Sequence, residues 1–196
     1  MSATKLGLKG FSNCGFIPVV NNTEGAYSAT GEIVRLTGAQ SCTVEDTKTS
    51  YSIPGDDGVY DSGSEWESTN LTLTVAEMSL SQLSALTGST YDSEDDLMEE
   101  CAIDDAPENA ITFSALRRDG GYRMYRYYCA KLTGYKVAHS TKGQNAEQNN
   151  QSYELSFICT PRKFDGNIRA SKDVAKGTAL TWLDTIPAMP VVEDDA

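Results

Sequence analysis

Apolar and polar residues alternate along much of the chain, which is the pattern of a β-strand with one buried face. In the clearest case, Leu71, Leu73 and Val75 alternate with threonines between residues 66 and 77. The same two-residue period occurs at 111–116 and 153–159. Shorter segments with strand character are 32–36, 42–46, 49–53, 122–132, 135–139 and 179–184. These patterns predict a mainly β fold.

One segment has the signals of a helix instead. Ser79 and Gln82 have the spacing of a capping box, in which each side chain bonds the backbone N–H of the other residue. Three leucines then follow at helical spacing, and Gly88 is a natural end point. The leucines are Leu80, Leu83 and Leu86. A single short helix must pack its apolar stripe against a sheet.

Long polar stretches separate these segments. The sequence predicts loops at 54–65, 91–109 and 142–151, because each is rich in glycine or charged and amide residues and none has an apolar period. We therefore expect a single domain over residues 1–190, followed by an acidic tail at 191–196. The length of the chain suits one domain with its own core.

Composition narrows the classes of function. The net charge is −12, which argues against a protein that grips nucleic acid through its phosphates. The sequence contains no apolar run long enough for a membrane span and no secretory signal, so no membrane partner is expected. The five cysteines are widely spaced, without a CxxC pair, and we expect reduced thiols. Cys129 and Cys159 fall in apolar strands and are predicted to be core residues.

No catalytic motif is visible. His139 is the only histidine, and neither a GxSxG elbow nor a nucleotide-binding glycine motif occurs. The acidic cluster at 92–96 lacks the EF-hand pattern, so a solvated segment is favoured over a weak calcium site. The stretch Arg117–Lys131 interleaves arginine and tyrosine. It suits either a nucleic-acid stacking platform or a subunit interface, and the acidic chain favours the interface. We predict a non-enzyme without cofactor or metal.

Charge is unevenly distributed. Residues 1–109 carry 4 basic and 19 acidic groups, whereas residues 110–190 carry 12 basic and 6 acidic groups. Two interpretations are open: solvated faces of one monomer, or complementary surfaces that meet between copies. The charge pattern alone favours the first.

The order of features resembles the major tail tube proteins of long-tailed, non-contractile bacteriophages. No single motif is specific, and the ordered combination carries the resemblance over most of the chain up to Thr185. Its parts are Lys5–Lys9, the strand 66–77 running into Ser79–Gly88 and Tyr91-Asp92, Ala110–Tyr122, the polar loop 141–150, the strand 153–160 with Pro161-Arg162, and Thr181–Asp184.

The resemblance implies a β-sandwich with one flanking helix. Six copies would form a ring in which one sheet per subunit joins its neighbours in a continuous β-barrel, and rings would stack into a hollow tube. Such a tube houses a tape-measure protein, contacts tail-tip and tail-terminator proteins, and conducts DNA without binding it specifically. The implied location is the tail of the virion, after assembly in the cytoplasm of a bacterial host.

The resemblance also assigns roles to residues. An acidic lumen would repel DNA and keep it moving, and the candidate lumen-facing acids are Glu45, Asp46, Glu67 and Glu77. The long hairpin loop at 54–65 would reach the next ring, and its candidate contacts are Asp56, Asp57, Tyr60 and Asp61. Possible basic partners are Arg117, Arg118, Arg123 and Lys142.

Two other classes of protein are compatible with these features. A head-decoration protein would share the fold and composition. A β-sandwich carbohydrate-binding or adhesion module would need an exposed aromatic platform, and the only tryptophans, Trp66 and Trp182, fall in strand-like segments.

Overall fold

The computed structural model describes residues 7–137, 139 and 152–190. The predicted loop at 142–151 and the tail at 191–196 lie outside this range. The elements of the described part are β1 (Leu8–Asn22), β2 (Tyr27–Ala29), β3 (Val34–Arg35), β4 (Ala39–Gly55), β5 (Gly58–Val75), α1 (Leu80–Thr87), β6 (Thr90–Asp92), β7 (Leu97–Glu99), β8 (Glu108–Arg117), β9 (Tyr122–Val137), β10 (Tyr153–Thr160), β11 (Arg169–Val174) and a 3-10 turn at Thr181–Leu183.

Nine of the strands form one antiparallel sheet. Its path is β2-β1-β8-β9-β10-β5-β4, with β3 paired to β1 and β11 paired to β9, while β6 and β7 form a separate hairpin. The mainly β prediction is confirmed. The β-sandwich stays a prediction, and β9 pairs with β8 and β11 along its first half and with β10 along its second half. Hydrogen bonding is therefore continuous across the whole sheet.

The main core lies on one face of this sheet. It contains buried side chains from β1, β5, β8, β9 and β10 together with Leu86 of α1. The predicted alternation in β5 is confirmed: Leu71, Leu73 and Val75 are fully buried, and the intervening threonines are half-buried. Burial of each such side chain is worth roughly 1.5–3 kcal/mol, so this face dominates the stability of the fold.

The opposite face of β8 and β9 is also covered. The sequence predicts that β8 is half-buried, but Thr112 and Ser114 are fully buried along with the apolar positions between them. A second and a third cluster, which include Leu183 and Ile186, cover this face with the C-terminal segment. The prediction of a strand at 179–184 is wrong, since the segment crosses the strands as a 3-10 turn.

The helix prediction is confirmed in detail. The Ser79 hydroxyl accepts a hydrogen bond from the Gln82 backbone N–H at 3.2 Å, and the Gln82 side chain accepts one from the Ser79 N–H at 3.1 Å. Gly88 ends the helix with φ of +79°. Leu83 and Leu86 are buried, whereas Leu80 is 39% exposed, so the apolar stripe is narrower than predicted. Among the described residues, no helix has the length and hydropathy needed to cross a membrane.

Two of the predicted loops are largely regular structure. Within 54–65, only Asp56 and Asp57 form a turn, because β4 continues to Gly55 and β5 begins at Gly58. Within 91–109, the β6–β7 hairpin occupies 90–99 and β8 begins at Glu108. Residues 54–62 are exposed on both faces, and β6 and β7 have only one half-buried residue each, Tyr91 and Met98, so these strands have no apolar period by which a sequence could reveal them.

Candidate interaction surfaces

The largest exposed feature is a two-stranded arm, residues 47–68, formed by the distal parts of β4 and β5. Every residue from 47 to 62 is exposed, and none of residues 47–68 belongs to a buried cluster among the described residues. At about 3.4 Å per residue, the arm extends roughly 30 Å beyond the body of the sheet. An isolated two-stranded hairpin is at best marginally stable in water, so the arm is a candidate for contact with a partner.

The tip of the arm brings together all four predicted inter-ring residues. Asp56 and Asp57 form the turn, and Tyr60 and Asp61 follow in β5. Four apolar or aromatic side chains lie at or near this tip with large exposed fractions: Tyr51 44%, Ile53 47%, Val59 66% and Tyr60 83%. The tip therefore combines acidic charge with exposed apolar surface, although a contact with another ring stays a prediction.

The two ends of the sheet differ in their edges. In the described part of the chain, β4 pairs only with β5, which leaves the other edge of a 17-residue strand open. At the opposite end, the short strands β2 and β3, of 3 and 2 residues, pair with β1 only between Gly15 and Asn22. Short edge strands discourage pairing with other chains, whereas a long open edge is a template for it. The free edge of β4 is therefore a candidate assembly surface.

A polar cluster fixes the root of the arm, where β4 leaves the core. The Asp46 carboxylate accepts hydrogen bonds from the Thr69 hydroxyl at 2.7 Å and from both terminal nitrogens of Arg169 at 3.1 and 2.7 Å. The Trp66 indole N–H donates to the Thr69 hydroxyl at 3.0 Å. The bond from Thr69 and the Arg169 guanidinium lower the pKa of Asp46. The cluster ties β4, β5 and β11 together at the point where the arm begins.

We expect the Asp46 cluster to make stability depend on acid pH. The pKa of Asp46 is lower in the folded chain than its ordinary 3.8, so its contribution is complete well above that value and disappears as pH falls through the lowered pKa. Asp46→Asn should therefore destabilise the chain at pH 7 by about 1 kcal/mol or less, given that the pair is partly solvated. Urea unfolding of both proteins at several pH values measures this difference. A gap that does not narrow at low pH would contradict it.

The four predicted lumen acids do not share one surface. Asp46 points to the same face as the half-buried Val44 and contacts Thr69, so Glu45 points to the opposite face. Glu67 accepts a hydrogen bond from Thr49 at 3.0 Å beside a register shift, and Glu77 lies beyond the end of β5. Glu45 belongs to a polar face of β4, β5 and β10, whose other members include Thr43, Asn70, Thr72, Thr74, Glu154 and Ser156.

Two of the predicted basic partners are already paired within the chain. Arg123 binds Asp173 through two bonds of 2.7 and 2.8 Å, and Arg117 contacts Asp119 and Asp173. These arginines lower the pKa of Asp119 and of Asp173. Arg118 is exposed, and no carboxylate of the described residues lies within 4.0 Å of it. Lys142 lies outside the described residues.

The burial of two arginines was not predicted from the sequence. Arg126 is 3% exposed, donates to the carbonyl oxygens of Trp182 and Thr185, and stacks 4.0 Å from the centroid of the Trp182 ring. Burial lowers the pKa of its guanidinium. Arg162, also 3% exposed, stacks 3.8 Å from the centroid of the Tyr128 ring. Neither position has a sequence signal for burial, because arginine is mostly found at the protein surface.

The structure also shows the surroundings of the arginine–tyrosine stretch 117–131, the two tryptophans, His139 and two of the cysteines. Arg126 lies under the C-terminal segment, so the stretch 117–131 is not an open stacking platform. Trp66 and Trp182 are both half-buried; Trp66 donates a hydrogen bond to Thr69, and Trp182 stacks against Arg126.

His139 is exposed, and within residues 7–137 and 152–190 no three His, Cys, Asp or Glu side chains are grouped as metal ligands would be. Cys129 and Cys159 are fully buried, as predicted, and burial raises the pKa of each thiol to about 12.

Comparison with known proteins gives structural likenesses at low identity. No family model matches the chain, and no curated protein matches it. A chain of the sheath–tube complex of an extracellular contractile injection system (PVC, extended state) is 10% identical, with a TM-score of 0.45, over 83% of this chain and 89% of that one. The tube-terminating cap of an anti-feeding prophage is 11% identical with a TM-score of 0.39, over 83% and 89% of the two chains. An Hcp protein is 12% identical with a TM-score of 0.35, over 83% and 100%.

Proposed function

We propose that this chain is a structural tail-tube protein of a long-tailed, non-contractile bacteriophage. Six copies would close into a ring, and rings would stack into a hollow tube that delivers the genome. The observation that carries the proposal is the arm: a two-stranded hairpin of roughly 30 Å that leaves the core and is exposed on both faces. A monomer gains little stability from an arm that buries neither face, whereas in a polymer a neighbouring copy can cover the arm.

The unequal edges of the sheet support assembly in a ring. A head-to-tail contact needs two different surfaces, and the open edge of β4 would meet the part of β1 before Gly15, with which neither β2 nor β3 pairs. Head-to-tail contacts close into rings when the rotation between copies allows it. Ring closure removes the open edge and with it the tendency to aggregate.

The lumen is proposed to be lined by the polar face of β4, β5 and β10. That face carries mostly hydroxyl and amide side chains together with Glu45, Glu154 and the half-buried Ile158, and Lys136 on the adjacent strand pairs with Glu154 at 2.8 Å. Unpaired cations would hold DNA by displacing its counterions and would slow its passage. A neutral-to-acidic surface of small side chains suits a conduit through which DNA passes without specific binding.

The remaining roles follow from this proposal. The partners are other copies of the chain, a tape-measure protein inside the tube, and tail-tip and tail-terminator proteins at its ends. The protein would act without catalysis, in the tail of the virion, after assembly in the bacterial cytoplasm.

Electron microscopy of the purified, concentrated protein tests the proposal. We expect hollow tubes with a regular repeat of stacked rings, formed either spontaneously or after addition of a tail-tip seed. A protein that stays monomeric under both conditions would contradict the proposal and favour a decoration protein or a binding module.

Charge reversal at the arm tip should weaken assembly. Asp56→Lys with Asp57→Lys changes two exposed carboxylates in the turn, and we expect fewer and shorter tubes because the tip would lose its attraction for basic surface on a neighbouring ring. Glu94→Lys with Asp95→Lys, in the exposed β6–β7 turn, makes the same change in net charge and serves as the control. Tube length and yield are measured by microscopy. Equal behaviour of the two double variants would count against the role of Asp56 and Asp57.

A further inference from the structure

An open groove lies between β1 and β4, at one end of the main core. Its volume is about 830 Å³, within the range of sites that receive ligand or partner side chains. Its wall on one side is β4 and its floor is formed by β1, β8, β9 and β11. The large apolar and aromatic side chains that line it are Leu8, Phe11, Val44, Phe113, Tyr125 and Tyr127.

The floor of the groove is aromatic. Phe113 stacks on Tyr125 and Tyr127 with ring centroids 5.1 and 6.0 Å apart, and Phe11 tilts against Phe113 at 5.4 Å. Leu8 at the mouth is 44% exposed. Apolar side chains that continue from a core into an open groove form a surface that a partner can cover with a gain in free energy.

The arm tip is complementary to this groove in apolar character. Ile53, Val59 and Tyr60 are the most exposed large apolar side chains of the tip, and each is at least 47% exposed. The tip of the same chain cannot fill the groove, because β4 runs continuously from the groove wall at Val44 to the turn and places the tip roughly 30 Å away. A second copy is therefore the occupant that supplies a tip.

The charges of the arm tip and of one end of the groove also favour contact between two copies. The tip carries three carboxylates, Asp56, Asp57 and Asp61, within six residues. At the Leu8 end of the groove, Arg117 and Arg123 are matched by Asp119 and Asp173. Arg118, which is exposed and has no carboxylate within 4.0 Å among the described residues, adds positive charge to this end.

We propose that the groove between β1 and β4 receives the tip of the arm of a second copy of this chain. Ile53, Val59 and Tyr60 cover the aromatic floor, and the tip carboxylates lie toward the basic end of the sheet. This contact deepens the proposed function and rests on it, since it names the acceptor surface for the arm that joins one ring to the next. It also joins the acidic first half of one copy to the basic second half of another.

Disulfide cross-linking tests the contact directly. Tyr60→Cys is combined with Ser171→Cys, an exposed residue that lines the groove, in a chain whose Cys42 and Cys101 are replaced by serine. In the matched control, Lys172→Cys is used instead of Ser171→Cys, because adjacent residues of a strand point to opposite faces of the sheet. After mild oxidation of assembled tubes, we expect about tenfold more linked chains with the Ser171 variant than with the control, because a disulfide needs Cα atoms within about 7 Å.

The outcomes separate the two proposals. Tubes that form with strong cross-linking at residue 171 support the groove contact. Tubes that form with equal or no cross-linking overturn it and leave the tail-tube proposal intact. In that case, a maleimide can be used to ask whether the N-terminal segment occupies the groove. If a groove cysteine reacts with the maleimide only after residues 2–6 are removed, that segment is the occupant, and the proposed contact with a second copy is overturned. An unsubstituted chain that forms no tubes with or without a seed overturns the proposed function itself.

Discussion

Replacing Thr49–Glu65 with the dipeptide Asn-Gly is expected to abolish tube assembly and to leave a folded, soluble protomer. Lys48 and Trp66 are direct partners in the β4–β5 ladder, so a two-residue type I′ turn can connect them. The residues removed belong to no buried cluster, and the Asp46 cluster at the root is retained. We expect the free energy of unfolding to change by about 1 kcal/mol or less, as for surface changes away from the core.

Two measurements on the same preparation check this prediction. Electron microscopy reports tubes, and thermal unfolding followed by circular dichroism reports the stability of the protomer. A control with a full-length arm, Ser50→Thr with Ser52→Thr, should assemble normally, because both positions are exposed and threonine suits a strand. Tubes of normal yield from the shortened chain would show that the arm is not an assembly element. A shortened chain that fails to fold would show that the arm stabilises the protomer itself.

Arg126→Ala is expected to lower the free energy of unfolding by about 3 kcal/mol, because partly buried carbonyl oxygens left without a donor cost about 1 kcal/mol each and a desolvated cation–π contact is worth up to about 2 kcal/mol. The two carbonyls belong to Trp182 and Thr185, and the π contact is with Trp182. For a chain of this size the melting temperature falls by about 2–4 °C per kcal/mol.

The design of this experiment separates charge from geometry. Arg126→Lys keeps the positive charge but loses the planar fork, so we expect an intermediate loss of stability. Arg118→Ala, at an exposed arginine in the turn after β8, should change the free energy of unfolding by about 0.5 kcal/mol or less. Intrinsic fluorescence should also change in the Arg126 variants, since Trp182 loses its stacking partner. If Arg126→Ala and Arg118→Ala were equally stable, packing alone would hold the C-terminal segment in place.

Local signals in the sequence predicted the elements that have one apolar face. The capping box at Ser79 and Gln82 works within one turn of chain, so the helix was predictable with both of its ends. The alternation around Leu73 was predictable because one face of β5 packs on the core there. The first part of the same strand, residues 58–65, was taken for a loop, since it buries neither face and leaves no period to detect.

The candidate surfaces were predictable only in part. The four tip residues were named together because they are neighbours in the sequence, and the hairpin keeps them together. The lumen acids were selected by charge, and the alternation of the strand separates Glu45 from Asp46 onto opposite faces. Arg123 and Arg117 were taken as free cations, but their partners Asp173 and Asp119 are supplied by β11 and by the β8–β9 turn, which only the folded chain brings together.

The sequence by itself determined what depends on short range: the strand and helix patterns, the acidic and polar character of the arm tip, and the burial of Cys129 and Cys159. The tertiary structure alone decided which strands are covered on both faces, which charges are paired, and that polar residues 47–68 form a projecting arm. The physical reason is that propensity and capping act over a few residues, whereas burial and ion pairing depend on side chains from strands distant in sequence. Arg126 and the carbonyl of Thr185, 59 residues apart, are the clearest example.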